Sequence, residues 1–105
     1  MKRGEIWLVS LDPTVGSEIR KTRPSLIISP FDMNERLRTV VIVPLTSKSR
    51  PAPFRIPVTF ESQPGLILLD QIRTVAKERL RRQLGEVDPI VLTQTLETLA
   101  AMFAP

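Results

Sequence analysis

Prolines set the first limit on this chain. Ten of its 105 residues are proline, and eight of them, from Pro13 to Pro64, fall between short apolar runs. A proline inside a helix removes a hydrogen bond and clashes with the preceding turn, so this part of the chain favours short extended segments joined by turns. Glu5 to Ser10 is β-rich and is ended by Asp12-Pro13. Pro24 opens a second segment, Ser25 to Ser29, which Pro30 closes. Phe31 to Arg36 reads as a turn or a short helical piece. Thr39 to Val43 is an apolar β-branched run too short for a helix, and therefore a central strand buried on both faces.

Phe54 to Phe60 alternates with period two, and its internal Pro57 places it at a sheet edge. Gln63-Pro64-Gly65 reads as a turn, after which Leu66 to Leu69 forms another buried strand running on toward Val75. Only the C-terminus reads as a clear helix. Asp88 suits the N-cap and Pro89 the first helical position, and Leu92, Leu96, Leu99 and Phe103 form one apolar face. Five or six strands followed by one helix predict a mainly β fold, a small antiparallel barrel covered by that helix, with residues 1–105 as one domain.

Composition narrows the chemistry. The chain has no cysteine and no histidine, which excludes disulfides, thiol nucleophiles, imidazole bases and metal sites built on those ligands. Catalysis must use Arg, Lys, Ser, Thr, Asp, Glu, the backbone or water. No apolar run reaches the ~18 residues that a membrane span requires, and the opening Met1 to Glu5 leads directly into a strand without a signal-peptide core. The expected location is the cytoplasm. The net charge of +4 arises entirely in the first fifty residues, and eleven of the fifteen cations are arginine. Such a surface attracts polyanions, and arginine suits bidentate phosphate contacts.

Two polar segments follow or precede strands. In Arg20-Lys21-Thr22-Arg23-Pro24, the proline pushes Arg23 into extended geometry at the mouth of a strand. In Pro44-Leu45-Thr46-Ser47-Lys48-Ser49-Arg50, three hydroxyls and two cations suit a phosphate. Taken alone, each segment reads equally as an ordinary surface loop.

Their order along the chain is more specific. Leu11 to Glu18, Thr22-Arg23-Pro24, Ile28 to Phe31, Val43 to Ser47, Pro53-Phe54 and Leu69 to Arg73 together resemble the MazF/PemK family of toxin endoribonucleases. The resemblance runs from about Arg3 to Arg79. It implies an SH3-like barrel, a homodimer, cleavage of single-stranded RNA at short preferred sequences, and neutralisation by an antitoxin whose acidic, flexible segment occupies the RNA site. No carboxylates are spaced as a recognisable metal motif, which favours a route without a metal or other cofactor.

On the matching positions Arg23 and Thr46 are the main catalytic pair, and Glu18 is an acidic loop residue with a part in activity or substrate contact. Ser47, Asp70, Gln71 and Arg73 fall where relatives line the RNA groove, with Lys21 and Lys48 as neighbouring cations. Some relatives carry a histidine in the first loop or before the arginine; here Thr22 precedes Arg23. Glu18 is therefore the expected proton acceptor. Three readings compete: a gyrase-inhibiting toxin of the same fold acting through its C-terminal helix, a non-catalytic RNA-binding barrel, and a purely structural oligomer.

Overall fold

A computed structural model describes all 105 residues. Seven strands and two helices occur in the order β1 (Glu5–Ser10), β2 (Thr22–Ile27), α1 (Phe31–Arg36), β3 (Thr39–Thr46), β4 (Arg55–Phe60), β5 (Gln63–Leu68), β6 (Arg73–Ala76), β7 (Leu80–Glu86) and α2 (Pro89–Met102). The strands form one curled antiparallel sheet in the order β4-β5-β3-β2-β1-β7, with β6 also paired to β3. This is the mainly β half-barrel with a C-terminal helix that the sequence predicts. Neither helix is long and apolar enough to cross a membrane.

Alternation along the strands divides the apolar residues between two cores. Ile6, Leu26, Val43, Leu45, Ile56 and Ile67 pack on one face with Val87 and with Leu99 of α2. Val9, Leu11, Ile27, Val40, Ile42, Val75 and Leu80 pack on the other. Neighbours such as Leu26 and Ile27 thus serve opposite cores, as a two-residue period requires. Each fully buried Leu or Ile contributes roughly 1.5–3 kcal/mol of transfer free energy.

The prolines fit the sheet because Pro44 and Pro57 turn their missing N–H away from a ladder and Pro24 stands at a ladder's end. The Ile28 N–H donates to Val41 C=O at 3.0 Å and the Gly4 N–H to Ile27 C=O at 2.9 Å, which fixes the alternation of β2. Pro24 faces β3 where the β2–β3 ladder has just ended at Ser25 opposite Pro44. Pro44 faces the other edge of β3, between the residues paired with β6 and those paired with β5. Pro57 faces outward from β4, the terminal strand, as its edge assignment predicts.

Several expectations need correction. Pro24 is the third residue of β2, which begins at Thr22, and β3 runs through Pro44 to Thr46. The β4–β5 hairpin turns at Glu61-Ser62, both with positive φ (52° and 62°), while Gln63, Pro64 and Gly65 belong to β5. The strand expected to run from Leu66 toward Val75 is broken by a 3₁₀ turn at Leu69–Gln71. A seventh strand, Leu80–Glu86, lies in a stretch to which the sequence reading assigns no element. In α2, Asp88 caps as predicted, accepting from Ile90 N–H at 2.8 Å, but Phe103 follows the helix and is 70% exposed.

A buried polar knot ties the N-terminus to α1. Asn34, fully buried, accepts from Ser29 Oγ at 2.5 Å and donates through Nδ2 to the Ser29 and Met1 carbonyls at 2.9 and 3.2 Å. Ser29 Oγ also accepts from Val41 N–H at 2.9 Å, linking the knot to β3. Removing the amide strands these partners, and an unsatisfied buried polar group is costly. Asn34→Ala should lower unfolding free energy by roughly 2–3 kcal/mol in urea titration; a change below about 0.5 kcal/mol would show that the knot contributes little.

Candidate functional site

The β2–β3 ladder opens into the main candidate site. Pro24 has no N–H to donate to Leu45, so the pairing stops at Ser25 opposite Pro44. Continuing the same register by two residues brings Arg23 opposite Thr46. Beyond the last paired residues β3 turns to β5, pairing Leu45 with Ile67 and Thr46 with Leu66. The space left between β2 and β5 is a cavity of about 360 Å³, lined by Arg23, Thr46 and Ser47 with Phe60, Glu61, Gln63, Pro64 and Gly65 among its other walls.

The polar groups in this cavity are held but not exhausted. Arg23 Nε donates to Arg20 C=O at 3.3 Å, which leaves the outer guanidinium nitrogens for an anion. Thr46 is buried, and its Oγ1 accepts from Lys48 N–H at 3.2 Å, so its own proton is available to a ligand oxygen. Gly65 lets β5 pass close to this hydroxyl-bearing residue. A Cβ there would sit 2.8 Å from Thr46 O, inside contact distance with backbone.

A second cavity of about 310 Å³ holds most of the other predicted residues: Glu18, Asp70, Gln71 and Arg73, with Ser17, Ile19 and Ile72. Here Gln71 Oε1 accepts from Ile19 N–H at 2.6 Å, tying the 3₁₀ turn to the β1–β2 loop. Arg73 Nη1 donates to Leu11 C=O at 3.1 Å and anchors the same loop. Glu18 Oε1 accepts from Val15 N–H at 2.6 Å and forms no ion pair with Arg20. The structure therefore brings Arg23, Thr46 and Ser47 together and places Glu18 in the neighbouring cavity. Lys21 and Lys48 line neither cavity. Lys21 is exposed, with φ of 70° at the end of the β1–β2 loop, and Lys48 is exposed after β3.

Asp70 is engaged by a residue that the sequence reading passed over. Arg55 Nε and Nη2 bind its two carboxylate oxygens at 3.2 and 3.1 Å, a bidentate pair. These hydrogen bonds push the pKa of the half-buried Arg55 guanidinium up from its ordinary value, with the charge of Asp70 adding to the effect. Arg55 also donates to Arg50 C=O at 3.1 Å, fastening the proline-rich loop beside the site. This is the only salt bridge in the protein, so fourteen of its fifteen cations have no carboxylate within reach. No three His, Cys, Asp or Glu side chains are grouped to hold a metal ion.

Comparison with known proteins gives this geometry a lineage. Residues 2–103 match the family described as PemK-like, MazF-like toxin of type II toxin–antitoxin system. The chain belongs to that family. The endoribonuclease PemK of Escherichia coli is 39% identical over 97% of this chain and 81% of its own length. The endoribonuclease toxin MazF of Escherichia coli is 33% identical over 82% of this chain and 78% of its own. Among solved structures, MazF from Deinococcus radiodurans superposes with a TM-score of 0.86 at 25% identity, over 97% of this chain and 94% of that one. An endoribonuclease in complex with its cognate antitoxin, from a mycobacterial species, superposes with a TM-score of 0.83 at 28% identity, over 100% and 97% of the two chains.

Sequence reasoning missed Glu61, Gln63 and Gly65 in this toxin's main cavity. The signal was present, since Glu61-Ser62 are the two residues between alternating strands, but Pro64-Gly65 is the stronger turn dipeptide and drew the assignment. Gly65→Ala must push β5 from Thr46 and should cost about 1–3 kcal/mol in urea unfolding while shifting the Thr46 and Ser47 amide resonances. Unchanged stability and spectra would refute the close-approach role.

Proposed function

We propose that this toxin is an endoribonuclease that cleaves single-stranded RNA at short preferred sequences, without a metal ion, through attack by the RNA's own 2′-OH. The observation that carries the proposal is the convergence of Arg23 and Thr46 on one solvent-open cavity in a family whose named members are endoribonucleases. The 2′ oxygen forms a bond to phosphorus as the bond from phosphorus to the 5′ oxygen breaks. Solvent water accepts the 2′-OH proton and returns one to the 5′ oxygen, and a 2′,3′-cyclic phosphate remains. Arg23 stabilises the charge developing on the phosphate oxygens, and the Thr46 hydroxyl holds one of them or the nucleophile in line.

The second cavity takes an adjoining part of the RNA, with Gln71, Arg73 and the carboxylates of Glu18 and Asp70 around it. Ser47, Lys21 and Lys48 supply hydroxyl and ammonium groups to the backbone. Because the cations are almost all unpaired, an acidic flexible segment of a cognate antitoxin is the inhibitor expected to cover this surface. The family resemblance further supports a homodimer acting in the cytoplasm, with residues 1–105 as one toxin domain.

Cleavage of a single-stranded RNA by purified protein tests the proposal directly. Activity should persist in EDTA and vanish when the scissile nucleotide lacks its 2′-OH; salt-sensitive binding without scission would instead indicate a binding module. Arg23→Ala should lower the cleavage rate about 10²–10³-fold with the fold intact by circular dichroism, and an unchanged rate would sink its assignment. Glu18→Gln should retain most of the rate, since Glu18 lies in the other cavity against Val15 N–H. A loss as deep as that of Arg23→Ala would make Glu18 the proton acceptor.

A further inference from the structure

The β4–β5 hairpin presents an unusual residue at an unfavourable backbone position. Two-residue hairpin turns with positive φ at both positions strongly prefer Asn, Asp or Gly. Here Glu61 and Ser62 occupy them at φ of 52° and 62°. A side chain kept in a strained turn points to a use for it. Glu61 is the only carboxylate lining the cavity that holds Arg23 and Thr46. Gln63, two residues on and the cross-strand partner of Phe60, lines the same cavity. The cavity therefore has a phosphate-binding side, an aromatic surface and a hydrogen-bonding edge.

We infer that Glu61, with Gln63, reads the base of a nucleotide next to the scissile phosphate, and that it selects bases carrying an exocyclic amino group over uracil. The inference rests on the RNA-cleaving reading of this cavity. An ionised carboxylate only accepts hydrogen bonds. Adenine, cytosine and guanine each offer it amino N–H donors, whereas uracil offers only its N3–H, flanked by two carbonyl oxygens that repel the carboxylate. Gln63 both donates and accepts, so it fits whichever ring acceptor neighbours the amino group. A carboxylate in this position weakens general attraction for RNA, which argues for a discriminating role over one in affinity.

Glu61 is a specificity residue on this account, and its contribution is separable from that of Arg23. Glu61→Gln keeps the size of the side chain and adds a donor for the uracil carbonyls. Glu61→Gly removes the side chain and relaxes the turn, so thermal unfolding should move to higher temperature while discrimination is lost.

The test is sequencing of RNA ends after wild-type, Glu61→Gln and Glu61→Gly proteins act on a pool of random single-stranded RNA. Wild type should show one position near the cut depleted of uracil, on the order of tenfold or more. Glu61→Gln should admit uracil there, and Glu61→Gly should flatten that position. A uracil-depleted position that persists in both variants would overturn the inference. An equal loss of rate at every sequence would also overturn it, since that is the mark of a proton acceptor. Absence of any cleavage by wild type would refute the enzymatic reading itself, an outcome distinct from either.

Discussion

β3 is hydrogen-bonded along both edges, and its changes of partner shape the molecule. On one edge it meets β2; on the other it meets β6 through Thr39 to Ile42 and then β5 through Leu45 and Thr46. Pro44 stands at the changeover, where its missing N–H costs no ladder bond. Pro24 faces the same strand from β2 and ends that pairing one step earlier than two ordinary residues would. The cavity opens where β2 and β3 part, at the position where Pro24 has no N–H to donate. Arg23 and Thr46 flank the opening because the register carries them there. Nothing in either residue's own segment dictates that they meet.

Much of the fold was legible from periodicity and punctuation. Glu5 to Ser10 is read with its end and α2 with its start, because Asp12-Pro13 and the Asp88 cap mark them chemically. The strand Leu80–Glu86 escaped because Arg81, Arg82 and Gln83 are exposed on a terminal strand paired only with β1, so no apolar alternation reveals it. The hairpin turn was displaced because a Pro-Gly pair ordinarily marks a turn. In this chain Pro64 points its ring nitrogen away from β4, and Gly65 clears Thr46 O. Both residues serve the site and not the turn.

The candidate site was legible in part. Arg23, Thr46 and Ser47 were selected by motif, and the register that unites them is tertiary information. Glu18 was selected by the same route, yet the β1–β2 loop, closed by Leu11 N–H on Lys21 C=O at 2.8 Å and pinned by Gln71 and Arg73, carries it to the neighbouring cavity. Asp70 is paired with Arg55, an ion pair across fifteen residues that no local pattern announces. With no histidine in the chain, charge stabilisation by a fixed guanidinium is the main resource the cavity offers to a reacting phosphate.

The central claim is that the parting of β2 and β3 builds the phosphate site between Arg23 and Thr46. A crystal structure with a cleavable-sequence RNA carrying a 2′-deoxy sugar at the scissile position addresses it most directly. The account predicts the scissile phosphate within hydrogen-bond distance of both the Arg23 guanidinium and the Thr46 hydroxyl. A scissile phosphate seated instead in the cavity of Glu18, Gln71 and Arg73, with the Arg23–Thr46 cavity unfilled, would contradict it.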